Sequence, residues 1–213
     1  MSTKQRKEII LLYQKSRLRI DSLFGSTESK PTILVGTTDE VMQRFGYPNI
    51  EKETKTGMTH LTPFGAYIVL SSEGTNVDVL SHELSHAELM KRLGWKTRRQ
   101  KIPIWFDEGL AMLVDRRFEY WSALKEDWKK LLNSENTDSV FISQYSTIPF
   151  ESEEIFALEN LQTTEEFFTE NAQLHYFLAQ QEVSRWYKAN GKKGLIQLIE
   201  DLEIKSFEES YDK

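Results

Sequence analysis

The chain has 213 residues, 39% of them hydrophobic, with twelve Phe, eight Tyr and five Trp, a composition that supports one globular domain or two closely packed lobes and argues against disorder. Its net charge of −6, with no evident basic stripe, excludes a general nucleic-acid binder, because neutralising phosphate takes concentrated Lys and Arg. With no cysteine, disulfides, thiolate ligands and thiol nucleophiles are excluded together, so any metal must be held by His and carboxylate.

Met1 to Glu8 carries basic residues, but Ile9 to Tyr13 gives way at once to Gln14 and Lys15, too short an apolar run for a signal peptide. No run approaches transmembrane length. The expectation is a cytoplasmic protein without a membrane span, although a secreted form trimmed of its leader would look the same. Lys4 to Leu23 alternates apolar and charged residues at helical spacing and ends at Gly25, which predicts an amphipathic helix whose job is packing.

Pro31 to Val35 predicts a short strand, and Thr37 to Glu40 opens a helix running to Phe45 and stopping at Gly46. Residues 47–56 are turn-rich and charged, as in a surface loop. His60, in a Met-Thr-His-Leu-Thr-Pro context, is a reserve metal ligand whose plainer role is at a strand end or on the surface. Gly65 to Leu70 has strand composition. It is either a buried core strand or an exposed rail to which an extended peptide adds by main-chain hydrogen bonds.

Thr75 and Asp78 resemble a capping box for the next helix, which runs to Leu93 and closes with Lys91, Arg92 and Gly94. This helix holds His82-Glu83-Leu84-Ser85-His86. Two histidines four residues apart stack on one helical face and can share one metal ion, while Glu83 is free to act as a base toward water activated at that metal. Zinc prefers four ligands, so a third protein ligand and an open position are needed. Glu108, in Ile102 to Ala111, is the candidate.

Lys96 to Lys101 is a basic connector, and Pro103 suits the first turn of a helix with Trp105, Phe106, Leu110, Leu113 and Val114 on its apolar face. Gly109 weakens that helix, which points to close approach by another backbone or by the metal helix. Glu119 to Leu132 predicts an aromatic-rich core helix, and residues 133–161 form an aperiodic loop near the cleft. Thr163 with Glu166 caps a short helix, Ala172 to Tyr187 forms a longer one ending before Gly191, and apolar-faced turns follow at 194–202 and 206–211.

His82-Glu83-Leu84-Ser85-His86 followed, after residues 87–107, by the glutamate of Trp105-Phe-Asp-Glu-Gly-Leu-Ala111 resembles the gluzincin zinc peptidases, above all small bacterial peptidase-MA-like domains. The resemblance implies an α+β, zincin-like fold with a small mixed sheet and active-site helix followed by a mostly helical C-terminal lobe. After an N-terminal helix in residues 1–30, a single catalytic domain would span 31–213, its lobes being 31–95 and 96–213. His82, His86 and Glu108 would bind Zn2+, Glu83 would be the catalytic base, and Tyr176 would donate to an oxyanion, with His175 its neighbouring rival. The substrate would be a peptide or protein.

Where thermolysin-like relatives carry an aspartate that bonds a zinc histidine, this chain has Met112. Asp115 or Asp107 would have to take that role, and for Asp115 a surface position is the plainer expectation. Gly65-Ala66-Tyr67 is similar to the substrate-binding edge strand of gluzincins. Two other functions stay open on the sequence: a zinc-containing binding or regulatory protein on the same scaffold without turnover, and a hydrolase of non-protein amides. Oligomeric state is open.

Overall fold

The computed structural model describes residues 3–36, 43–44, 56–117, 158–169 and 172–211. The expected helix at 37–45, the loop at 47–56 and the helix at 119–132 lie outside those residues apart from a few positions, as does most of the 133–161 loop. What is described is mixed α+β, mostly helical, with one three-stranded sheet.

The strands are β1 (Thr32–Val35), β2 (Gly57–Thr62) and β3 (Gly65–Leu70), in the order β1-β3-β2. β1 runs parallel to β3, and β2 pairs antiparallel with it, Thr59 opposite Ile68 and Thr62 opposite Gly65. The sheet is therefore mixed. β3 is its central strand and buries Ile68, Val69 and Leu70 completely. With β2 along one edge and β1 pairing Tyr67 to Leu70 along the other, β3 is a central strand, which favours the buried-core alternative for Gly65 to Leu70 over the exposed rail.

The helices are α1 (Thr3–Phe24), α2 (Val77–Leu93), α3 (Trp95–Lys101), α4 (Ile104–Met112), α5 (Thr164–Phe167), α6 (Ala172–Asp201) and α7 (Phe207–Tyr211). The basic connector after Gly94 is thus a short helix. α2 starts at an Asn76 cap whose side chain accepts from the Val79 amide at 2.9 Å. Thr75, the expected cap, instead donates its hydroxyl to the Ser71 carbonyl at 2.8 Å and closes the preceding turn. Gly94, at φ +79°, ends α2 by donating to Met90 O, a backbone conformation that side-chain-bearing residues rarely adopt. Thr163 and Glu166 form the expected capping box. Gly191, at φ +62°, breaks α6 into two pieces.

One apolar core joins α1, α2, α4 and α6, with Phe24, Leu84, Phe106, Leu110 and Val183 inside it. α1 is tied to α2 by Arg19, which is buried and donates to Asp78 at 2.5 Å and to the Val114 carbonyl at 2.8 Å. The segment after α1 is pinned by the buried carboxylate of Glu88, which accepts from the amides of Glu28 and Ser29 and from Arg92. Gly109 lies against α6: a Cβ there would stand 2.5 Å from Ala179 O and 2.6 Å from Val183 Cγ2. The helix that crowds it is α6, where the sequence left the metal helix as one of two possibilities. Among the described residues no helix is long and apolar enough to cross a membrane.

Candidate metal centre

Residues 82, 83 and 86 face inward from the middle of α2, and residues 107 and 108 from the first turns of α4. All five are buried. The α2 helix supplies its pair because positions four apart share a face, and α4 crosses so that Glu108 meets both rings. His82 Nε2 is 3.2 Å, and His86 Nε2 3.7 Å, from Glu108 Oε2. Nitrogen and oxygen donors from His82, His86 and Glu108 all fall within 4.8 Å of one another.

The other nitrogen of each ring is turned to a second carboxylate. His86 Nδ1 lies 2.9 Å from Asp107 Oδ1. His82 Nδ1 lies 3.1 Å from Asp115 Oδ2, within ion-pair distance but bent away from a full hydrogen bond. Asp115 is completely buried, which corrects the surface position expected for it. Both carboxylates are themselves clamped: Asp107 by Arg98, and Asp115 by Arg117, whose Nε is 2.9 Å from either oxygen. Arg117 also donates to Thr56 Oγ1 at 2.6 Å, just before β2.

This arrangement fits a metal ion. Nδ1 of each ring faces a second carboxylate, so once the rings are neutral Nε2 is the atom placed to offer a lone pair, and both Nε2 atoms face Glu108. Ligands about 2.1 Å from a tetrahedral zinc stand roughly 3.4 Å apart. The separations of 3.2 and 3.7 Å fall on either side of that.

Burial by itself would push the His82 imidazolium toward neutrality, but contact with Asp115 and Glu108 outweighs it and raises the pKa to about 10. His86 is raised too, by Asp107 and Glu108 against the same penalty. Burial opposes ionisation of the carboxylates as well. Arg98 and His86 nevertheless hold Asp107 well below the usual carboxylate range, the two histidines lower Glu108, and His82 with Arg117 holds Asp115 far down. A buried cluster of this kind keeps its charges only through mutual pairing.

Glu83 is placed by β2. Its Oε2 accepts from Thr59 Oγ1 at 2.7 Å, and Gly57 leaves the space its carboxylate needs, since a Cβ there would come within 2.9 Å of Oε1. Tyr176 sits on α6 with its ring centroid 6.3 Å from that of His82. Burial, then the nearby Glu108 and Glu83 carboxylates, pushes its phenol pKa well above the ordinary value. His175, the rival, turns Nδ1 to the Phe167 carbonyl at 2.7 Å. His60 stacks on Tyr67 at 4.5 Å and is not part of the ligand group.

Sequence reasoning missed Gly57, Thr59, Arg98 and Arg117. The available signal was the Pro63-Phe64-Gly65 turn, which makes residues 57–62 the hairpin partner of a strand already recognised. For the arginines no local signal exists. Comparison of the chain with protein-family models, curated proteins and solved structures gave no match.

Proposed function

We propose that the chain is a zinc-dependent peptidase of the gluzincin type, with a zincin-like peptidase-MA domain. The observation that carries this reading is the convergence of His82 and His86 Nε2 on Glu108, with an unligated carboxylate, Glu83, on the same helix beside them. A purely structural site has no need of that residue. His82, His86 and Glu108 would hold the ion, and a zinc bound there would supply Lewis acidity toward the scissile carbonyl and lower the pKa of water to about 7.

Glu83, oriented by Thr59, takes a proton from the attacking water as its oxygen bonds to the carbonyl carbon. It then delivers that proton to the amine nitrogen as the C–N bond breaks, so one water is consumed per bond cut. Tyr176, kept protonated by its surroundings, donates its hydroxyl hydrogen to the carbonyl oxygen as negative charge builds there. Asp107 and Asp115 keep the two rings in the tautomer that offers Nε2.

The test is incubation of the zinc-loaded chain with a mixed peptide library, with and without chelator, beside Glu83→Gln. Chelator-sensitive cuts that vanish in the variant, with one zinc still bound per chain, are the expected result. Full zinc occupancy without a single cut would leave the binding or regulatory reading instead.

A further inference from the structure

We propose that the outward face of α1 from Lys4 to Leu18 docks on an anionic lipid membrane surface. The buried residues of α1 all lie in its second half, at Ser16, Arg19, Ile20, Leu23 and Phe24. Its first half leaves large aliphatic side chains in solvent: Ile10 is 49% and Leu11 53% exposed, and Leu18 follows on the same side at 48%. Lys4, Lys7, Leu11, Lys15 and Leu18 recur at helical spacing, so lysines and leucines interleave along one face opposite the core. None of these lysines forms an ion pair among the described residues.

Charge singles out the partner. Residues 3–18 hold five basic side chains and one acidic, a net of +4, in a chain whose total is −6. The rest of the molecule therefore stands at −10 and is repelled by the surface that attracts this helix, which leaves one orientation for docking. Aliphatic side chains sink into the headgroup boundary while lysine stems lie along it and keep their ammonium groups at the phosphates. A second copy of the helix is a poorer match. With Lys4, Leu11 and Leu18 in one heptad position, the companion positions are Lys7, Gln14 and Asp21, and no apolar seam results. Nucleic acid is poorer also, because a phosphate track has no use for exposed leucines at its centre. The inference does not depend on the metal centre.

Flotation of the full chain with phosphatidylcholine vesicles, with and without phosphatidylglycerol, tests it. Binding is expected only with the anionic lipid and is expected to weaken with salt. The Lys4→Gln, Lys7→Gln, Lys15→Gln triple variant should lose on the order of a hundredfold in partitioning, and Leu11→Gln with Leu18→Gln roughly tenfold or more. These positions are solvent-exposed, so thermal unfolding and zinc content should match the unaltered chain. Three results would overturn the proposal: no flotation with either lipid, flotation that the leucine variant leaves intact, or a lipid-independent dimer that the leucine variant dissolves. RNA or DNA binding in place of vesicle binding would overturn it as well.

Discussion

Asp115 Oδ2 stands 3.1 Å from Nδ1 of His82 although 33 residues separate them. Arg117, two residues further on, holds the same carboxylate and reaches Thr56, the residue before β2. One side of the candidate metal centre is therefore braced by a chain of contacts running from the residue before β2 through an arginine and an aspartate to the His82 ring. Replacing Asp115 with Asn keeps the volume and removes the charge. Zinc affinity should fall about 10- to 100-fold, the usual cost of losing a carboxylate behind a ligand histidine. Competition with a chromogenic chelator measures it, and an unchanged affinity would show that the 3.1 Å contact does not tune the ring.

Under the proposed function Tyr176 donates to the oxyanion. In Tyr176→Phe, kcat on a peptide substrate should drop roughly a hundred- to a thousandfold, with KM and zinc content little altered. A rise in KM at constant kcat would mean that the hydroxyl binds substrate and does not act on the developing charge.

The pH dependence of the metal-free protein has a definite shape. His82 is held above its ordinary 6.5, at about 10, so its contribution to stability is complete below pH 6.5 and fades as pH climbs toward 10. Asp107 and Asp115 are held below 3.8, so theirs is complete above that value and fades as pH falls through their lowered pKa values. Glu108 is lowered from 4.5, so the whole cluster contributes fully between 4.5 and 6.5. A zinc ion held by His82, His86 and Glu108, as proposed, would take the place of the imidazole protons, so the loaded protein should lose the alkaline decline. Melting curves across pH with and without chelator read this directly. Parallel alkaline slopes in the two forms would contradict it.

Gly109→Ala pits a gain in helix propensity of about 1 kcal/mol against a Cβ placed 2.5 Å from Ala179 O. Backbone cannot yield as a side chain can, and overpacking of this kind costs about 1–3 kcal/mol. Urea denaturation should therefore show net destabilisation. Because α4 carries Glu108, looser zinc binding should accompany it. A more stable variant would mean that α6 moves aside freely.

Much of the metal helix was legible locally. The four-residue spacing of His82 and His86, the stop at Gly94 and the capping box at Thr163 and Glu166 all depend on neighbours within a turn or two, and helical geometry decides those wherever the helix sits. Glu108 was legible because a histidine pair needs a third ligand and the Ile102 to Ala111 segment is the nearby stretch that offers an acid, with the resemblance of Trp105 to Ala111 to the gluzincin pattern pointing to that position. The Asn76 cap was missed by one residue, because Thr75 had a competing acceptor in its own turn.

What the sequence by itself determined is the pair of rings, the acid beside them and the carboxylate on a later helix, each a property of short-range periodicity and residue chemistry. Only the tertiary structure decided that β1 joins β3 on the side opposite β2, that Gly57 and Thr59 shape the pocket of Glu83, and that Asp115 is buried behind His82. Those facts depend on which surfaces meet across 24 or more residues, and strand order and burial are outcomes of packing the whole chain that no local window encodes.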